Sequence, residues 1–441
     1  MKQTTFAVGI VFAVTGCAAR GQTAVDGGIQ AFVGARIVPI DAATIERGVL
    51  VIEGGKIAAV GAADAIEIPA GAARVDVTGK TIMPGMVDTH NHIGGIGGGD
   101  SSAPIQPDVR IYDSLNPLDA GFRRAVAGGL TTLNIMPGSG HLLSGQTVYV
   151  KLRKERLTIE DMFIRDEGGK PMGGMKMANG TNSMRDKPFP GTRAKSAALV
   201  REQYVKAQEY RDKLARAGDD VTKKPARDIG LEALVAAMAG DKIVHHHTHR
   251  HDDIMTVIRV SQEFGFRVVL HHVSDGWKVA DEIAAAGVPC SIILVDSPGG
   301  KLEALDVAYK TGGILERAGA KVAFHTDDWI TDSRVFFRSA ALGVRGGMSR
   351  AAALRALTLS GAEMLDLDDR VGSLTPGKDA DFIILSGDPL SVYTKVEQTW
   401  VEGEKVFDRS NPEDYLHAVG GYGAGDATEP YFCCFEHAED Y

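Results

Sequence analysis

Cysteine is scarce. The 441-residue chain has four, Cys17, Cys290, Cys433 and Cys434, and their number and scatter exclude a disulfide framework. Cys290, in GVPCSIIL, reads as a buried strand residue, and the adjacent pair in FCCFEH reads as part of a C-terminal tail. Positive charge is also in deficit. Lysine and arginine number 48 against 57 acids, a net charge of −9, so the basic face that a phosphate backbone requires is missing and nucleic acid is excluded as a main partner. Long apolar runs are lacking as well. The one candidate, Phe6 to Val14, is too short to span a bilayer as a helix and reads as the core of a secretory signal. A phosphate loop is absent: DVTGKT at 76–81 ends like one, but position 74 is Arg where glycine is required, and the segment leads into a strand. Nothing sets Ser144 of HLLSGQT beside a His–Asp pair, so metal hydrolysis stands ahead of a serine mechanism.

The N-terminal run ends in VTGC, which resembles a bacterial lipoprotein processing box. Residues 1–16 are therefore expected to be a signal peptide, with Cys17 lipidated and the protein exported to the periplasm. Membrane contact is then expected only through that lipid anchor.

What the chain does have is glycine and alternation. The 53 glycines exceed the usual share of about 7% and cluster at turns. Residues 29–80 carry short β-rich runs punctuated by Gly, Asp and Pro, such as IQAFVGARIVPI and GVLVIEGGKIAAVG. A matching set, VGSLTPGKDADFIILSG and VEQTWVEGEKVFD, lies within 371–408, and a tail occupies 409–441. Between them, strand candidates alternate with helical patterns: TIMPGMVDTH, LTTLNIM, QTVYVKLR, GGMKMA, KIVHHH, FRVVLHH, VPCSIIL and KVAFHTD. Helices are read in SAALVREQYVKAQEYRDKLARAG, DDIMTVIRVSQEFG, DGWKVADEIAAAG and LDVAYKTGGILERAG, the last three closing on a C-cap glycine. Residues 137–195 show no clear helix between the third and fourth candidates. The pattern fits a (β/α)8 barrel over 81–370, whose site would lie at the C-terminal strand ends.

Those ends carry the histidines. MPGMVDTHNHIG places His90 and His92 on one face of the first strand, because side chains at i and i+2 share a face. The fifth candidate ends in His245, His246 and His247, followed by His249. The sixth ends in His271 and His272, and the eighth in FHTDD with His325, Asp327 and Asp328. Imidazoles and a carboxylate converging on one rim suit a first-row divalent ion.

In GMVDTHNH, VHHHTHRHDDI, VVLHHVSD, AFHTDD and VGSLTPGKDADFIIL the chain resembles the amidohydrolase superfamily, closest to its imidazolonepropionase-like and prolidase-like members. The resemblance runs from about residue 29 to 408. It implies a distorted (β/α)8 TIM barrel with a small β-sandwich domain built from both chain ends, and one or two divalent ions, Zn2+ among the first-row metals. Residue by residue, it implies metal ligation by His90, His92, His247, His272 and Asp327. His245 is the alternative to His247, and the motif leaves His271 for the barrel wall. A lysine bridging two metals is implied at Lys176, with Lys151 as its rival. Asp327 and His272 are the implied catalytic pair, and His249, His325 and Arg250 are placed toward substrate, with Arg334 and Arg338 near the rim. Asp328 is expected to point away. The implied activity is hydrolysis of an amide C–N bond in a cyclic amide or dipeptide. The alternatives are deamination of a heterocyclic amine and a non-catalytic metal-binding lipoprotein. A small-molecule substrate is the expected partner, and a homo-oligomer is compatible with all of these readings.

Overall fold

The computed structural model describes residues 28–95, 100, 102–294, 301–328 and 330–420. The signal segment with Cys17 and the Cys433–Cys434 pair lie outside them. The strands are β1 (Gln30–Ile37), β2 (Ile45–Glu53), β3 (Lys56–Ala62), β4 (Ala73–Asp76), β5 (Thr81–Pro84), β6 (Met86–Asn91), β7 (Leu130–Ile135), β8 (Leu143–Gln146) and β9 (Val148–Lys151). They continue as β10 (Met175–Ala178), β11 (Val244–Thr248), β12 (Val268–His272), β13 (Cys290–Ile292), β14 (Val322–Phe324), β15 (Phe382–Leu385), β16 (Val396–Val401) and β17 (Glu404–Asp408). The helices are α1 (Ala120–Ala127), α2 (Arg193–Ala217), α3 (Ile229–Ala239), α4 (His251–Phe264) and α5 (Ala280–Ala285), then α6 (Lys310–Ala318), α7 (Arg338–Arg345), α8 (Arg350–Ala356), α9 (Leu359–Glu363) and α10 (Pro412–Val419). The fold is mixed α/β. No helix among the described residues is long and apolar enough to cross a membrane.

Both ends of the chain build one sheet, ordered β17-β16-β15-β5-β1-β2-β3 with β4 alongside β1. β5 belongs to it, pairing with β1 and antiparallel to β15. The TIMPGMVDTH run is therefore two strands split at Gly85, and the sheet extends past residue 80 to Pro84. Phe32 on β1 and Trp400 on β16 have ring centroids 5.1 Å apart, although three strand spacings of a flat sheet would separate their strands by about 14 Å. The sheet thus curls over a core of Phe32, Phe382 and Trp400, with Leu50 and Ile82 among its other members.

Between these ends lie two further sheets, β14-β13-β12-β11-β10-β8 and β6-β7-β9. β10 to β14 are mutually parallel, as are β6 and β7. Their residues are buried on both faces, as expected of parallel strands covered by helices. The third strand candidate departs from expectation: β9 runs antiparallel to β7. No helix lies between β7 and β9, so the chain returns antiparallel instead of crossing over. Gly265, Gly287 and Gly319 adopt the left-handed conformation after α4, α5 and α6, the role read for them as stop signals. Beyond residue 408, α10 packs against α1, so the described start of the tail is helical.

One buried ion cluster joins the layers. Lys151, fully buried at the end of β9, reaches Asp379 Oδ2 at 2.5 Å and Asp381 Oδ2 at 3.0 Å, just before β15. Asp379 also takes Lys56 Nζ at 2.6 Å.

Candidate metal centre

β6 ends with its backbone pinned. Asp88, buried and central, accepts hydrogen bonds from His90 N (3.1 Å), Asn91 Nδ2 (2.8 Å), Thr326 N (3.1 Å) and Thr326 Oγ1 (2.5 Å). Burial pushes its carboxyl up to about 6 against the pull of these bonds. Asp327 N donates to His90 O at 2.9 Å, so the ends of β6 and β14 are held edge to edge.

Above this junction four donor atoms converge. His90 Nε2 lies 3.1 Å from His92 Nε2, 3.0 Å from Lys176 Nζ and 3.4 Å from Asp327 Oδ1. His92 Nε2 lies 3.0 Å from Asp327 Oδ1. Ligands about 2.1 Å from a tetrahedral ion stand about 3.4 Å from one another, so these residues fit a divalent cation. His92 Nδ1 donates to Met136 O, 2.7 Å away, which leaves Nε2 for the cluster. Burial drives His90, His247 and His272 well below the ordinary imidazole range, and the neutral ring is the metal-binding form. Burial pushes Asp327 up, but the His92 hydrogen bond and neighbouring positive charges outweigh it and hold the carboxyl at about 2. Its side chain is 19% exposed while that of His90 is fully buried, so Asp327 faces the open side.

The floor is a hydrogen-bonded chain. Thr89 Oγ1 meets Ser291 Oγ at 2.6 Å, Ser291 Oγ meets His325 Nδ1 at 2.8 Å, and His325 Nε2 meets His272 Nδ1 at 3.1 Å. His325 is thus buried beneath the cluster, its ring stacked on His90 with centroids 4.9 Å apart. A second group sits beside the first: one donor atom from each of His247, His249 and Glu303 lies within 4.8 Å of the others. His272 stands between the groups, its ring centroid 4.4 Å from His247 and 4.9 Å from His90.

Several alternatives left open by the motifs separate here. Lys176 reaches His90, and burial lowers its amine to about 7, whereas Lys151 is committed to Asp379 and Asp381 outside the cluster. His245 lies deeper than His247, between Tyr149 Oη and His271 Nε2, each at 3.0 Å. His246 points the other way, toward a cavity of about 590 Å³ among β10, β11, α2 and α4. His271, expected in the barrel wall, packs with His245 and His90, its ring centroid 4.9 Å from that of His90, and His272 stands equally close to His90. Strict alternation breaks because His272 has φ 70° and Val273 φ 53°, left-handed values that β-strands exclude. Asp327 likewise has φ 49°, and such strain is typical of functional sites. Asp328 turns away and accepts from Ser333 N and Oγ. Arg250 is outside the cluster, in an exposed ion pair with Asp252 at 2.8 Å. Arg334 is paired with Asp332. Asp88 and Ser291, polar residues inside short strands, and Glu303, in a turn away from the strands, had no signal in the sequence.

A family model described as "Amidohydrolase family" matches residues 81–406. An amidohydrolase from Thermotoga maritima MSB8 superposes with a TM-score of 0.80 at 32% identity, covering 86% of this chain and all of that one. Amidohydrolase tasK of Hapsidospora irregularis is 27% identical over 393 residues, 82% of this chain. The chain spans 39% of that relative's length. An imidazolonepropionase of Micrococcus luteus is 27% identical over 384 residues, 76% of this chain and 86% of that one.

Proposed function

Because the chain belongs to the amidohydrolase family, we propose that it hydrolyses the C–N bond of a small cyclic amide or dipeptide at the centre formed by His90, His92 and Asp327. The observation that carries this reading is the convergence of His92 Nε2, Lys176 Nζ and Asp327 Oδ1 on His90 Nε2, each 3.0–3.4 Å from it, with Asp327 on the open side. His90, His92 and Asp327 are the proposed ligands of one ion, Zn2+ by donor type. Lys176 and His247 reach toward a second. We read β6–β7 and β10–β14 as parts of one distorted barrel, supported by the Asp327–His90 backbone bond. The name imidazolonepropionase, carried by a relative, supports a small ring compound as substrate.

A bound zinc ion would supply a water whose pKa falls from 15.7 to about 7. The remaining work falls to the chain. Asp327, ionised at neutral pH, accepts the proton from the attacking water at its carboxylate and returns it to the departing nitrogen. His272 Nε2, buried and without a protein partner, is placed to donate to the oxyanion that develops on the carbonyl. Asp88 keeps His90 and Asp327 in register through its bonds to both strand ends.

Zinc-loaded protein should be assayed against N-acyl amino acids, dipeptides, cyclic ureides and aminoheterocycles. The expected result is cleavage of an amide to a carboxylate and an amine. Ammonia released from an aminoheterocycle, with every amide left intact, would replace this reading with a deaminase.

A further inference from the structure

We infer that Glu303 is a carboxylate ligand of a second divalent-cation site, shared with His247 and His249; this rests on the metal-centre reading above. Glu303 follows β13 in sequence, in a short 3-10 turn at Leu302–Ala304, and is far from the strand motifs that carry the histidines. Its side chain is nevertheless 2% exposed. Every anchor it has falls on one oxygen: Thr181 N donates to Oε2 at 2.8 Å and Arg193 Nη2 at 3.1 Å. Arg193 is itself fixed by Asp253 Oδ2 at 2.8 Å. The other oxygen, Oε1, is buried and has no partner.

The histidines facing it are prepared the same way. His249 Nδ1 is occupied by Ser274 Oγ at 2.7 Å, which leaves Nε2 buried and unpartnered. Neither ring nitrogen of His247 has a partner. A carboxylate oxygen and two imidazole nitrogens lie within 4.8 Å of one another yet make no hydrogen bond among themselves. Buried polar atoms left in this state are costly, and a cation between them satisfies all three at once. Two imidazoles and a carboxylate are a donor set for zinc, cobalt or manganese.

Space for the carboxylate is built into the neighbouring loop. Gly180 has φ 76°, and a Cβ there would stand 2.6 Å from Glu303 Oε2 and 3.0 Å from Oε1. Only glycine both adopts that backbone and leaves the room. An orienting arginine, a backbone amide and a vacated Cβ position together hold Oε2 and leave Oε1 without a protein partner, as outer partners orient metal ligands.

The test is metal titration of the full-length apoprotein, with Co2+ followed by its visible absorption and Zn2+ counted by mass spectrometry. Wild type is expected to bind two ions per chain. Glu303→Gln is expected to keep the first with unchanged affinity and to bind the second at least tenfold more weakly, with a changed cobalt spectrum. His249→Asn should show the same selective loss, and serves if the Gln variant does not fold. Two ions held with wild-type affinity in Glu303→Gln would overturn the inference, as would a wild type that holds one ion only. So would a variant that keeps both ions and loses only affinity for substrates bearing an ammonium group, since Glu303 would then be a substrate contact. A wild type that binds no ion would remove the metal-centre reading itself.

Discussion

In the proposed reaction Asp327 carries the heaviest chemical demand. It is both a neighbour of the two β6 histidines and the partly exposed acid of the cluster. Replacing Asp327 with Asn removes the proton acceptor while keeping shape. The expected outcome is a loss in kcat of about 10²–10⁴-fold, the usual contribution of a placed acid–base group, in a protein whose circular dichroism is unchanged. Retention of full activity would exclude Asp327 from proton transfer. At this scale the sequence was legible in placement where residue type and strand-end position coincide, as for His90, His92 and Asp327, which the fold brings together. It was ambiguous where two residues of one type share a local pattern. Lys151 and Lys176 both sit in short apolar strands, and what distinguishes them is whether Asp379 or His90 lies opposite, a fact of tertiary structure. Glu303 was illegible for the same reason, because its partners Thr181 and Arg193 are more than 100 residues away in sequence.

The elements that hold the site were partly legible. Strand β12, which opens on the apolar run Val268–Leu270, and the glycine-terminated helices α4 and α6 follow directly from apolar runs and C-cap signals. The direction of β9 did not, because a four-residue apolar strand reads identically in parallel and antiparallel pairing. What fixes β9 is its end residue, Lys151, buried against Asp379 and Asp381. Lys151→Met leaves buried Asp381 without its cation and Asp379 dependent on Lys56, and should destabilise the protein by about 3–5 kcal/mol at pH 7, measured by urea unfolding. The pH dependence follows from signs. Burial pushes Asp379 up, but Lys151 and Lys56 together outweigh it and hold the carboxyl below its ordinary range. That stabilisation is present above the unfolded value of about 3.9 and is lost as pH falls through the lower folded value. The gap between variant and wild type should therefore narrow below about pH 4. A gap that stays constant from pH 7 to pH 3 would show that Lys151 acts through packing alone.

Over the whole molecule, the chain ends join in one curled sheet while the middle presents strand ends from β6, β10, β11, β12 and β14 to a single cluster. The alternation of strands and helices and the matching β-rich flanks made this arrangement legible before any geometry. Its exact boundaries were not, since β5 and β6 form one apolar run divided only by Gly85. Convergence of distant strand ends on one metal centre is the central claim, and anomalous diffraction from zinc-loaded crystals tests it most directly. An anomalous peak among His90, His92 and Asp327, beside the Lys176 side chain, is the predicted result. Zinc bound only elsewhere, with those three residues bonded to one another and no peak between them, would contradict it.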